Sequence, residues 1–101
     1  MTTMITETIE SRELELYIDN TEHLHSAIVK LVTGKWSKGV FDLDKGIKGA
    51  MYTVNRGAKE YCREFGCFND SWNKMFTMKD RELCAESLVR GIIEECKIGN
   101  Y

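Results

Sequence analysis

Residues 43–65 read LDKGIKGAMYTVNRGAKEYCREF, and the fold turns on this stretch. Ile47, Met51, Val54, Ala58, Tyr61 and Phe65 recur every three or four positions, the spacing that draws one apolar stripe down an α-helix. Asp42 stands where an N-cap belongs, because a side-chain oxygen there accepts from the unpaired amides of the first turn. Gly66 stands where a left-handed stop belongs. The pattern predicts a helix from Leu43 to Phe65 that buries the stripe. Gly46, Gly49 and Gly57 lie inside it, each costing about 1 kcal/mol against alanine. Close approach of a neighbouring helix is the expected compensation.

Projected at about 100° per residue, Lys45, Lys48, Arg56, Lys59 and Arg63 fall within an arc of roughly 80° opposite the stripe. A cationic ridge facing solvent is expected. It has two readings. One is a contact surface for phosphate backbone or an acidic protein, extended by Lys35, Trp36, Lys38 and Phe41 of a loop from Lys35 to Asp42. The other is an ordinary solvated face, partly neutralised by Asp44 with Lys48 and Arg56 with Glu60 at i, i+4 spacing.

Working outward, Ser11 to Asp19 reads as a helix with Ser11 as N-cap, Glu13 in the first turn, and Leu14, Tyr17 and Ile18 on one face. Asn20 and Thr21 read as a break and a new N-cap. Leu24, Ala27, Ile28, Leu31 and Val32 then mark the apolar side of a second helix that Gly34 ends. After the long helix, Asp70 or Ser71 is placed to cap a short turn containing Trp72, Met75 and Phe76. Thr77 and Asp80 resemble a capping box, with aspartate where glutamate or glutamine is usual. Ala85, Leu88, Val89, Ile92 and Cys96 line the last helix, and Gly99 stops it. The absence of proline removes the commonest helix breaker. The expected fold is all-α: one domain over residues 1–101, a small bundle of about four helices, with residues 1–10 flexible.

Composition bounds the function. At 43% hydrophobic and 30% charged residues, the chain lies in the globular range rather than the disordered one. No apolar run approaches the roughly 18 residues that span a bilayer, and the start is acidic rather than basic, so neither a membrane span nor a signal peptide is expected. The net charge of −2 hides an asymmetry. Residues 1–34 carry two basic and six acidic side chains, residues 35–63 seven and three, and residues 64–101 five and seven. A basic middle between acidic ends could complement itself across a two-fold axis, so a homodimer is one expectation.

No catalytic, cofactor or metal signature emerges. Four cysteines without an export signal imply free thiols in a reducing compartment. Cys62, Cys67, Cys84 and Cys96 lack the paired short spacings of zinc modules and read as small packing residues. His23 and His25 stand two apart on a helix and point away from each other. The glycines match no phosphate-cradling pattern. Trp36, Phe41, Phe68, Trp72 and Phe76 gather in two loops, where aromatics either plug helix ends or anchor a partner.

The stretch Lys38-Gly39-Val40-Phe41-Asp42, the run Ala58-Lys59-Glu60-Tyr61-Cys62-Arg63-Glu64-Phe65, and the closing Gly99-Asn100-Tyr101 resemble small bacteriophage- and prophage-encoded proteins of unassigned activity. The shared pattern is basic-Gly-x-aromatic-Asp, a helix ending Ala-Lys-x-Tyr-x-x-Glu-Phe, and a terminal Gly-Asn-Tyr, over roughly residues 38–101. The resemblance implies a phage product acting in a bacterial cytoplasm. The expected function is then an accessory protein, not an enzyme. It would bind a host protein or nucleoprotein complex and inhibit or redirect it, a defence nuclease such as CRISPR-Cas or the transcription machinery being typical targets. The alternative expectation is a small nucleic-acid-binding regulatory module.

Overall fold

The computed structural model describes residues 8–35, 42–65 and 72–99. They form α1 (Ile9–Asp19), α2 (Glu22–Lys35), α3 (Leu43–Glu64), the single turn α4 (Trp72–Met75) and α5 (Met78–Lys97). No strand occurs among the described residues, so the fold is a small all-α bundle. α3 packs on α5, and α1 and α2 pack against both. Leu14 and Ile18 from α1, Leu24, Ile28 and Val32 from α2, Ala50, Val54 and Ala58 from α3, and Cys84, Ala85 and Val89 from α5 are fully buried between them.

α3 begins as its sequence demands, with the Asp42 carboxylate accepting from the Lys45 amide at 3.2 Å. Its buried stripe is rotated from the expected one. Gly46, Ala50, Val54, Gly57, Ala58 and Cys62 face the centre, while Ile47, Met51 and Tyr61 are half-buried at the margins. Phe65, expected within the stripe, is 60% exposed. A helix packed against α1, α2 and α5 needs small residues where they come closest, so the large ones are displaced to its flanks. Two glycines show why: a Cβ on Gly57 would sit 2.9 Å from Ile18 Cγ1, and one on Gly49 would sit 3.1 Å from Leu31 Cδ2. Close approach does compensate glycine at these two positions.

Several local expectations are corrected. α1 starts at Ile9, inside the stretch expected to be flexible, with Thr8 rather than Ser11 as N-cap. Ser11 is instead buried at the third helical position: its amide donates to Thr8 Oγ1 at 2.9 Å and its Oγ accepts from the Thr8 amide at 3.0 Å. A serine thus stands in for the usual glutamate of the capping box, and Glu10 rather than Glu13 is the first-turn acid. Thr21 does stand at the N-cap position of α2, its carbonyl accepting the His25 amide at 2.9 Å, but its hydroxyl turns back and donates to the Tyr17 carbonyl at 2.7 Å, at the end of α1. Gly34 does not stop α2, which continues through Lys35. Ala27 is exposed.

The last helix follows its signals. Thr77 and Asp80 form a complete capping box, and Gly99 takes the left-handed conformation at φ 83° just beyond the end. Gly66, Asp70 and Ser71, assigned stop and cap roles, lie outside the described residues. Asp80 does more than cap its own helix, because its Oδ1 also accepts the Thr8 hydroxyl at 2.7 Å. The starts of α1 and α5 therefore meet on one carboxylate. Burial pushes that carboxyl up, but the bonds from Thr8 and Thr77 and the neighbouring Arg81 outweigh it and hold it below the usual aspartate range.

A depressed acid stabilises the fold above its unfolded pKa of about 3.9, and that contribution is lost as pH falls through the folded value. Asp80→Asn should therefore lower stability at neutral pH by about 1–2 kcal/mol. Urea unfolding at pH 7 and again below pH 4 should show the variant's deficit shrinking with acid. An equal deficit at both would assign it to lost shape rather than lost charge.

Candidate functional site

α3 carries all five of the ridge cations, and Lys45, Lys48, Arg56, Lys59 and Arg63 are all exposed. Four of them, Lys45, Lys48, Lys59 and Arg63, make no ion pair among the described residues, and the Asp44–Lys48 pair allowed by spacing is not made. Arg56 is held, with Nε 3.1 Å from Glu60 Oε2. Glu60 also meets His23 Nε2 at 2.9 Å, which staples α2 to α3. Burial pushes the Glu60 carboxyl up, yet His23 and Arg56 bring it below the usual range. Lys59 Nζ lies 5.0 Å from the centre of the Trp72 ring, a cation–π contact. Of the loop residues proposed to extend the ridge, Trp36, Lys38 and Phe41 lie outside the described residues, as does the Lys35 side chain.

Beneath the ridge sits a group that periodicity did not single out. Arg81 of α5 is buried, its Nε donating to the Phe76 carbonyl at 3.0 Å and its Nη1 to Asn55 Oδ1 at 2.6 Å. Its guanidinium lies 4.8 Å from the Trp72 ring centre. Trp72 is therefore neither simple plug nor free anchor: Arg81 and Lys59 both face it, coupling the ridge to the core. A signal existed, because positions 81, 85, 88 and 92 share one helical face, so Arg81 occupies a place where an apolar residue was due.

A second surface lies on another side of the bundle. Tyr17, Tyr61 and Phe65 pack edge to face or tilted, with ring centres 4.6–6.2 Å apart, and Phe76 closes against Tyr61 at 5.2 Å. With Leu16, Glu13 and Glu64 they line an open groove of about 420 Å³. The Tyr17 hydroxyl donates to Glu64 Oε1 at 2.8 Å, and the Tyr61 hydroxyl donates to Glu13. Burial, reinforced by Glu64, pushes the Tyr17 phenol up to about 12. It stays a neutral donor throughout the physiological range.

Cys62 and Cys84 are buried in the core and Cys96 packs half-buried against it, the packing role expected of them, while Cys67 lies outside the described residues. His23 and His25 diverge, the first to Glu60 and the second to Asp19, 3.3 Å from its Nδ1. No cluster of three or more metal-ligating side chains occurs among the described residues, and no described helix is long and apolar enough to cross a membrane. Comparison with protein-family models, with curated proteins and with solved structures finds no match to this chain.

Proposed function

We propose that the protein is a non-catalytic accessory factor that docks on a macromolecular complex of a bacterial cell through the outer face of α3, and inhibits or redirects it. A phage origin, with a defence nuclease or the transcription machinery as target, is the setting that the sequence resemblance implies. The observation that carries the reading is the set of five exposed cations on one face, four of them without an ion-pair partner among the described residues. Unpaired cations keep their full field for an outside partner. From Lys45 to Arg63 the face runs about 27 Å at 1.5 Å per residue, long enough for an extended contact.

The same length and charge support a second reading, a nucleic-acid-binding module whose affinity falls steeply with salt as phosphate contacts release counterions. The overall charge of −2 weighs against it. Reversing Lys48, Arg56 and Lys59 to glutamate should leave helicity by circular dichroism unchanged and abolish partner capture from bacterial lysate. Unchanged capture would reduce the ridge to a solvated face. Capture that disappears entirely on nuclease treatment of the lysate would decide for nucleic acid.

A further inference from the structure

The groove between α1 and the end of α3 has a chemistry opposite to that of the ridge. Its floor is aromatic, the faces of Tyr17, Tyr61 and Phe65. Leu16 beside that floor and Phe65 within it remain 62% and 60% exposed. Its rim carries Glu13 and Glu64. Each accepts one tyrosine hydroxyl, and neither pairs with a cation among the described residues. Among the described residues, the cations with a partner face elsewhere: Arg56 meets Glu60, Arg90 meets Glu86, Lys97 meets Glu94, and Lys59 and Arg81 face Trp72.

We propose that this groove is a second docking surface, independent of the ridge, and that it takes an arginine side chain flanked by apolar residues on a partner polypeptide. Charge complementarity selects a cation: two carboxylates without a cation partner among the described residues stand beside π-faces that attract positive charge. Geometry selects arginine over lysine. A planar guanidinium lies flat on an aromatic ring while its edge donates to a carboxylate, whereas an ammonium offers only a point charge. The molecule already sets a guanidinium over an aromatic ring internally, where Arg81 lies over Trp72 and donates to neutral acceptors, Asn55 Oδ1 and the Phe76 carbonyl. A space of about 420 Å³ is at the small end of binding pockets, sized for one long side chain and an apolar neighbour. The two tyrosine hydroxyls hold the rim, since each donates to one oxygen of one glutamate and leaves that glutamate's second oxygen available to a donor. Tyr17, with its phenol held neutral, adds no negative charge of its own.

The test uses the full chain and two synthetic peptides, helix-forming 12-residue sequences with one central arginine between leucines, identical except that the second carries citrulline, the neutral isostere, at the arginine position. Binding is followed by amide chemical-shift changes at Leu16, Tyr17, Tyr61 and Phe65. The arginine peptide should bind at least about tenfold tighter than the citrulline peptide. Glu13→Gln with Glu64→Gln, which keeps an acceptor for both tyrosines and so keeps the fold, should abolish that preference. The Lys48, Arg56, Lys59 reversal should leave it intact, so failure of the ridge reading and failure of this one are separable. Equal binding of the two peptides, shifts confined to other residues, or no binding of either would overturn the proposal. So would light scattering that shows a dimer dispersed by the Glu13, Glu64 double variant, since the occupant would then be a second copy.

Discussion

Replacing Arg81 by alanine is expected to lower stability by about 3 kcal/mol, a large share of the roughly 5–15 kcal/mol that holds a domain together. The loss has three sources. The guanidinium is buried, and its removal leaves the Phe76 carbonyl and Asn55 Oδ1 without the donors they now have at 3.0 and 2.6 Å. It also empties the space over Trp72, and it removes a positive neighbour from the buried Asp80 carboxylate. Buried groups stripped of a charged partner lose far more than a surface pair does. Lysine at the same position keeps the charge but not the fork, and should recover less than half of the deficit. Arg90→Ala is the control: its Nε meets Glu86 at 2.8 Å on an exposed face, and such a pair contributes about 0.5 kcal/mol or less. Urea denaturation of the three variants measures the differences. A deficit for Arg81→Ala no larger than that for Arg90→Ala would mean that the buried fork does not tie α4 and α5 to α3.

Gly57→Ala and Gly91→Ala should move stability in opposite directions, although both replace a glycine inside a helix. Alanine gains about 1 kcal/mol of helix propensity over glycine in each case. At Gly91 a new Cβ meets nothing within 4 Å, so the gain is kept and the protein is stabilised. At Gly57 the Cβ would sit 2.9 Å from Ile18 Cγ1 and 3.0 Å from Cδ1. Ile18 is fully buried, so any shift of its side chain must be taken up by the packed core around it. Overpacking of this kind costs about 1–3 kcal/mol and should exceed the propensity gain, leaving a net loss of about 1–2 kcal/mol. Thermal melting of the two variants gives the signs directly. A raised midpoint for Gly57→Ala would mean that α1 can withdraw, and that the contact is not the reason for glycine there.

Helix content was legible in the sequence because its signals are local. Asp42, the Thr77 to Asp80 box and Gly99 act within one turn of chain, and each does what its type and place require. Thr8 was missed because its partner is a serine, a residue that more often caps than answers a cap. Of the candidate site, the five-cation face was readable from helical geometry, since opposite sides of a helix follow from residue number alone. The role of Trp72 was not, because it depends on Lys59 and Arg81, which approach it from different helices. Nor was the acid-rimmed groove. Its tyrosine–glutamate bonds join residues 47 and 48 positions apart, and no periodicity spans that distance.

By itself, then, the order of residues determined that this chain is helical, where most of its helices begin, and which side of α3 is cationic, because capping and amphipathic period are decided by neighbours within a few positions. Only the tertiary structure decided which small residues of α3 meet its partners, that Arg81 is buried, and that Tyr17 and Tyr61 frame a groove with Glu64 and Glu13. Those outcomes depend on steric fit and charge pairing between helices distant in sequence, and such terms come into being only when the helices are packed.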